Sequence, residues 1–330
     1  MRQPGLQTTV QDLGRPGWQH VGVPVGGAMD RCAHRIANLL IGNPPDAAAL
    51  ECALGGIALQ FDAPALVALA GRDITASIDG RPLPAWRPCL VHRGALLVLH
   101  TGCRTTIAVG GGIDVPVVLD GRGTSLRAAF GGWNGRALRR DDRLPIGART
   151  VIGDRIAASL EAEGRAAADW RPAGSVLPPY GDQPSVRYIP GPELEALTDG
   201  SRTAWRDATF RISPESDRMG YRLSGQSLSL TSAREMLSSG VTAGTIQLPP
   251  GGAPIVLMAD RQTTGGYPRL GDVIAVDLPL LAQLRPGDRV HFAVTSLVVA
   301  HAAYRQREHE LSRMTQAVAL RYSGGTRASR

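Results

Sequence analysis

The sequence predicts a mainly β protein, β-rich α+β in class, built as two lobes with a few short helices and a helix at the C-terminus. Forty Gly and 24 Pro in 330 residues interrupt the chain too often for a helical bundle. The apolar residues fall in short, β-branched runs bounded by turn residues, the pattern of strands. Leu284-Arg285-Pro286-Gly287-Asp288-Arg289-Val290-His291-Phe292 echoes the stretch from Leu138 to Ile146: leucine, turn residues, Asp-Arg, then an apolar run. This faint repeat suggests two similar β-rich lobes.

Taken in order, a short strand around Thr8–Val10 leads into a Gly- and Pro-punctuated loop, where Arg15, Pro16, Gly17 and Trp18 form a turn that could present an arginine and an indole. Asp30 to Ile41 reads as a helix, with Ala33, Ile36, Ala37 and Leu40 on one face, Asp30 as N-cap and Gly42 as the stop. Gly26-Gly27 before it reads as a tight turn or as an anion cradle at the helix start. Strands are expected at Ala49–Cys52, Ile57–Phe61, Ala65–Ala70, Thr75–Ile78, Cys89–Val91, Leu96–Leu99 and Thr105–Val109, joined by hairpin turns such as Asp79-Gly80. Gly110-Gly111-Gly112 lacks the spacing of a dinucleotide fingerprint. Arg139 to Gly147 reads as a turn into a closing strand. The first lobe is placed at 1–153.

Residues 154–185 shift to Ala, Glu, Arg and Pro and read as a linker with a short helix near Ala157–Glu163. The second lobe, 186–330, opens with strand Val186–Ile189. A helix near Thr198–Trp205 follows, then strands Phe210–Ile212 and Leu228–Leu230. Ser232 and Glu235 form a capping box for a short helix ending at Gly240. Strands Thr245–Leu248, Ile255–Met258 and Val273–Val276 come next. A helix starts at Asp277-Leu278-Pro279, a last one runs from Ser296 to about Leu320, and disorder is expected over 323–330.

Composition excludes several functions. All 36 basic residues are arginine, so the chain can carry no biotinyl-lysine, no lysine Schiff base and no P-loop lysine. The formal net charge of +7 invites nucleic acid, but the arginines are dispersed and aromatics make up only 5%, so none is expected as a partner. No apolar run is long enough to span a membrane, and the start is unlike a secretory signal. Cys32, Cys52, Cys89 and Cys103 are expected as buried thiols in the cytoplasm. The seven histidines show no metal-ligating spacing, so no metal is expected, and no G-x-S-x-G is present.

The richest stretch is Pro254 to Leu270. An apolar strand empties into Asp260, Arg261, Gln262, Thr263, Thr264, Gly265, Gly266, Tyr267 and Pro268. That turn holds a carboxylate, a guanidinium, an amide, two hydroxyls and a phenol, and its glycines let backbone amides approach a ligand. Pro268 stiffens it. The alternative is a solvated hairpin turn. As a site, it suits a reaction in which an oxyanion or ureido oxygen is held by fixed donors rather than attacked. Arg218 and Arg222 add donors, or else form a surface ion-pair network.

TTVQDLGRPGWQHVGVPVGGAMD (8–30), RIANLLIGN (35–43), GGGIDVP (110–116), DRLPIG (142–147), SDRMGYRLSG (216–225) and PIVLMADRQTTGGYPRL (254–270) together resemble the allophanate hydrolase subunit 2 family, also known as the biotin-dependent carboxyltransferase family. The resemblance runs from about residue 3 to about residue 300, and within the family it is most like the C-type subunit of 5-oxoprolinase. It implies two cyclophilin-like β-barrel lobes. It also implies partners: an allophanate hydrolase subunit 1-type chain (the 5-oxoprolinase B-type subunit) and a lactam-utilisation-type chain (the A-type subunit). Such a complex opens 5-oxoproline to glutamate with ATP, and no cofactor is bound covalently. A second branch implies transfer of a carboxyl group from carboxybiotin, the biotin being carried on another chain, to urea or a related amide. A third implies a regulatory protein that antagonises a kinase inhibitor. Position by position, Arg218, Met219, Gly220, Tyr221 and Arg222 match one motif, and Gln262, Thr263, Thr264, Gly265, Gly266 and Tyr267 the other. Asp260, Gln262, Thr263, Thr264 and Tyr267 are taken as catalytic candidates. Arg15, Arg218 to Arg222 and the glycine pair are taken as contacts to a small amide or lactam.

Overall fold

A computed structural model describes residues 1–232 and 236–323. Glu235, half of the expected capping box, and residues 324–330 lie outside the described residues. The chain forms two compact units. The first comprises Met1–Gly14, Asp30–Pro178 and the chain from Glu308 onward; the second comprises Arg15–Met29 and Pro179–Arg307. This differs from a simple succession of lobe, linker and lobe: residues 15–29 belong with the second unit, and the expected linker runs with the first as far as Pro178.

Among its described residues the first unit holds ten strands: β1 (Gln3–Pro4), β2 (Gln7–Gln11), β3 (Ala49–Ala53), β4 (Ile57–Gln60), β5 (Ala65–Ala70), β6 (Thr75–Ile78), β7 (Arg81–Leu83), β8 (Cys89–Val91), β9 (Leu96–Thr101) and β10 (Arg104–Val109). They form two five-stranded sheets, β1-β4-β9-β6-β7 and β2-β3-β10-β5-β8. Val10, Leu50, Val67, Leu69, Leu97, Leu99 and Ile107 fill one core. The second sheet buries its other face as well: Leu66, Ala68, Ala70 and Ala108 pack with helix α1 (Arg31–Leu40), helix α2 (Val151–Ala162) and Leu311, Met314 and Val318. Burial on both faces is why β5 is apolar throughout rather than alternating.

α1 forms where its sequence dictates. The Asp30 carboxylate accepts from the Ala33 amide at 2.8 Å, and Ala33, Ile36, Ala37 and Leu40 are fully buried. The linker's short helix is in fact the longer α2, begun by Thr150, whose hydroxyl accepts from the Gly153 amide. The closing strand expected after Arg143 reduces to a single bridge, Ile113 to Ile146. There the segments GGGIDVP and DRLPIG meet: Gly147 N–H donates to Gly112 O, Asp114 N–H to Pro145 O, and a side chain at Gly111 would strike the Gly147 carbonyl. Since Arg289 to Phe292 is strand while its counterpart before Ile146 is not, the faint repeat is not a structural one.

The second unit is a closed barrel. Its strands are β11 (Ser185–Pro190), β12 (Thr209–Ile212), β13 (Gly220–Ser224), β15 (Thr245–Gln247), β16 (Ile255–Leu257), β18 (Arg269–Val273) and β19 (Arg289–Val294), in the order β11-β18-β15-β16-β13-β12-β19, with β11 and β19 parallel. β14 (Ser239–Gly240) and β17 (Thr264–Gly265) form a separate two-stranded ribbon. The interior is aromatic. Trp205, from helix α3 (Asp199–Asp207), stacks on Phe292 at 4.6 Å and donates its Nε1–H to the Tyr188 hydroxyl at 2.9 Å. Helix α4 (Leu278–Ala282) adds Leu280 and Leu281, and helix α5 spans Leu297–Ser323.

Two expected strands move or vanish. The strand placed at Val273–Val276 lies at Arg269–Val273, because pairing with β11 and β15 overrides the poor strand propensity of Gly271 and Asp272. Leu228–Leu230 contributes only a bridge from Leu230 to Leu197.

Candidate functional site

β13 and β16 pair so that Tyr221 sits opposite Val256. The pairing continues past Gly220 and Leu257: Met258 N–H donates to Met219 O and Asp260 N–H to Arg218 O. This register places the Arg218 and Asp260 side chains together. Arg218 Nε donates to Asp260 Oδ2 at 2.7 Å, and Nη2 donates both to Oδ1 at 2.9 Å and to the Gly27 carbonyl at 2.7 Å. Asp217 supports the entry to β13 by accepting from the amides of Met219 and Gly220.

The Gly26-Gly27 turn closes over this pair. A side chain at Gly26, which has φ of 63°, would stand 3.7 Å from both Arg15 Nη1 and Asp260 Oδ1. Arg15 is 1% exposed, so it is packed inside the unit rather than presented by its turn as expected. The structure therefore gathers Arg15, Arg218 and Asp260 into one buried clasp. A fork-to-fork pair of this kind fixes orientation as well as charge.

Beyond Asp260 the chain turns outward. Arg261 stays buried, with Nε on the Val241 carbonyl, while Gln262, Thr264, Gly266 and Tyr267 are exposed, and Thr263 and Gly265 half-buried. Thr264 and Gly265 pair with Gly240 and Ser239, and Val241 N–H donates to Thr263 O. The turn is thus held by backbone bonds, leaving its side chains at the surface. Tyr267 is 48% exposed beside buried Pro268.

The SDRMGYRLSG residues divide. Tyr221 points into the barrel and is 3% exposed; Arg222, one residue on, faces outward within 4.0 Å of Glu215. Strand alternation separates them. Arg218 and Arg222, considered together from sequence, therefore have different fates: a buried clasp and a surface ion pair.

Gln247 was not singled out by sequence. It is 2% exposed on β15 and lies directly beneath Gly265, where a side chain would collide with its Nε2. The signal was present in Thr245-Ile246-Gln247, since a polar residue at both flanks of a core isoleucine marks a second, polar face of the strand. No group of three or more His, Cys, Asp or Glu able to hold a metal exists among the described residues. None of their helices is long and apolar enough to cross a membrane. Neither the clasp nor the turn contains a histidine or cysteine, so the arrangement suits holding and polarising a ligand rather than attacking it.

Residues 21–294 match the family model for the carboxyltransferase domain, subdomains A and B. The chain belongs to this carboxyltransferase-domain family. It is similar to the 5-oxoprolinase C subunit of Escherichia coli strain K12, 40% identical over 92% of this chain and 93% of that one. It is also similar to the 5-oxoprolinase C subunit of Haemophilus influenzae, 35% identical over 94% of this chain and 96% of that one. The crystal structure of Kluyveromyces lactis urea carboxylase superposes with a TM-score of 0.84 at 24% identity, covering 94% of this chain and 28% of that one, and so shares the fold. Within the carboxyltransferase-domain family, the clasp and the turn both fall inside the matched residues, apart from Arg15.

Proposed function

We propose that this chain is the C-type subunit of a cytoplasmic 5-oxoprolinase, a complex that opens 5-oxoproline to glutamate at the expense of ATP. The observation that carries the reading is the similarity to the Escherichia coli 5-oxoprolinase C subunit over nearly the whole of both chains. The site chemistry agrees with it. A lactam is a poor electrophile, and fixed donors that meet charge developing on its oxygen lower the barrier to opening. Gln262, Thr263, Thr264 and Tyr267 are the donors offered to that oxygen. The Arg218–Asp260 clasp positions them, because Asp260 begins the turn that carries them. ATP supplies the driving force, and since the chain contains no lysine it cannot hold the nucleotide by a P-loop. The proposed partners are a chain of the allophanate hydrolase subunit 1 type, as the B-type subunit, and one of the lactam-utilisation type, as the A-type subunit.

The second reading is carboxyl transfer from carboxybiotin on another chain to urea or a related amide. It is favoured by 30% identity to the urea amidolyase of Lachancea kluyveri, although the chain spans only 17% of that protein. Co-expression with both partner types, followed by ATP-dependent glutamate release from 5-oxoproline, tests the first reading. The complex is expected to turn over and the isolated chain to be inactive. A complex that carboxylates urea and leaves 5-oxoproline untouched replaces it with the second.

A further inference from the structure

Beneath the turn lies a polar face that the clasp does not use. Gln247 is almost wholly buried, yet its carboxamide has no hydrogen-bond partner among the described residues. Its cross-strand neighbour on β18 is Arg269. The Arg269 Nε is buried and has no hydrogen-bond partner either. It stands 3.8 Å from Asp272 Oδ2, close enough for attraction but too far for a hydrogen bond. Asp272 is anchored by its other oxygen, which accepts from the Thr245 hydroxyl at 2.6 Å. One strand pair therefore holds an unengaged amide beside an unengaged guanidinium N–H. A buried polar group without a partner costs about 1–3 kcal/mol, so the orphaned Arg269 Nε, with the Gln247 carboxamide across from it, marks a place built to receive something polar.

We propose that Gln247 and Arg269 read the substrate: Gln247 recognises the ring amide and Arg269 the carboxylate. The inference rests on the 5-oxoprolinase reading and deepens it. A five-membered lactam holds its amide cis, so its N–H and C=O lie side by side on one edge. A primary carboxamide offers the complementary edge: its N–H donates to one lone pair of the lactam oxygen, leaving the other for a donor of the turn, and its carbonyl accepts from the lactam N–H. A trans peptide cannot form that doubled pair with one carboxamide. The carboxylate of 5-oxoproline, on the carbon next to the ring nitrogen, accepts from the spare Arg269 N–H, and a charge-assisted bond of this kind is among the stronger ones. Gly265 leaves the Gln247 amide in place, since any side chain there would push Nε2 aside. This gives the glycine of the turn a purpose that its backbone angles alone do not supply.

The test is the steady-state kinetics of the co-expressed complex on 5-oxoproline. Arg269→Met is expected to raise KM by about tenfold or more with kcat changed by less than about threefold, the signature of lost binding to an unreacting group. Arg269→Lys restores part of the loss, because it returns the charge without the planar fork. Gln247→Glu, close in shape but unable to donate, is expected to raise KM by at least about tenfold. An active wild-type complex whose KM is unmoved by Arg269→Met and Gln247→Glu overturns this inference and leaves the function standing. A wild-type complex that does not open 5-oxoproline overturns the function, and the inference falls with it.

Discussion

The two units bury their sheets in different ways, and the difference decides where polar side chains can gather. In the first, the sheet β2-β3-β10-β5-β8 is covered on both faces, by the opposing sheet and by helices, so its side chains are committed to packing. In the second, closure of the sheet into a barrel gathers the apolar groups inside, around Trp205, Phe210, Tyr188 and Phe292. A closed barrel has no edges to protect, and the outer face of its strands is left for polar groups. Thr245, Gln247, Arg269 and Asp272 occupy that outer face, and Arg218 and Asp260 lie just past the strand ends.

The contrast can be broken at its strongest points first. Arg218→Met takes the guanidinium fork from the half-buried Asp260 carboxylate and leaves the Gly27 carbonyl without its donor, and about 2–4 kcal/mol of stability should be lost in a denaturant titration. A loss under about 1 kcal/mol would mean the clasp is a surface pair after all. Trp205→Ala removes the ring at the centre of the barrel together with its bond to Tyr188, and should cost a similar ~3–5 kcal/mol. If the first unit melted with it in one transition, the units would not be independent in folding.

The first unit has its own buried polar group in His34. Burial lowers its pKa to about 4, outweighing the attraction of Asp12 and Glu51, and Asn38 Nδ2 lies 3.2 Å from its Nε2. Between pH 6.5 and 4 the unfolded chain binds a proton that the folded one refuses, so stability falls as pH drops through that window, by about 3 kcal/mol. Melts of His34→Gln should show a flatter acid limb. An unchanged pH profile would remove His34 as the cause.

Smaller effects separate the turn from the barrel beneath it. Gly265→Ala displaces the Gln247 amide at a stability cost of about 1–3 kcal/mol, and the KM of the complex for 5-oxoproline should rise at least as far as in Gln247→Glu. Gln262→Ala and Thr264→Ala alter exposed side chains and should move stability by less than about 0.5 kcal/mol while abolishing turnover. Near-normal rates in both would shift the chemistry away from the turn.

Much of this was legible in the residues. The helix from Asp30 to Ile41 and strands such as Ala65–Ala70 were plain, because periodicity and caps are local signals. The strand at Arg269–Val273 was hidden by a glycine and an aspartate that only pairing makes acceptable. In the site, the abundance of polar groups after Met258 was visible, but the partition of Arg218 from Arg222 was not, since it depends on the register of β13 against β16. Gln247 escaped notice because nothing along the chain announces that Gly265 will lie on top of it.

The loan of residues 15–29 to the second unit sets an order on biosynthesis. On the ribosome these fifteen residues emerge long before Arg218 and Asp260 are made. They must wait, flanked by chain belonging to the first unit, until the rest of the barrel has been added. A fragment beginning at Pro179 would lack both Arg15 and the Gly27 carbonyl that Arg218 grips, so the C-terminal half made alone should fold with its clasp incomplete.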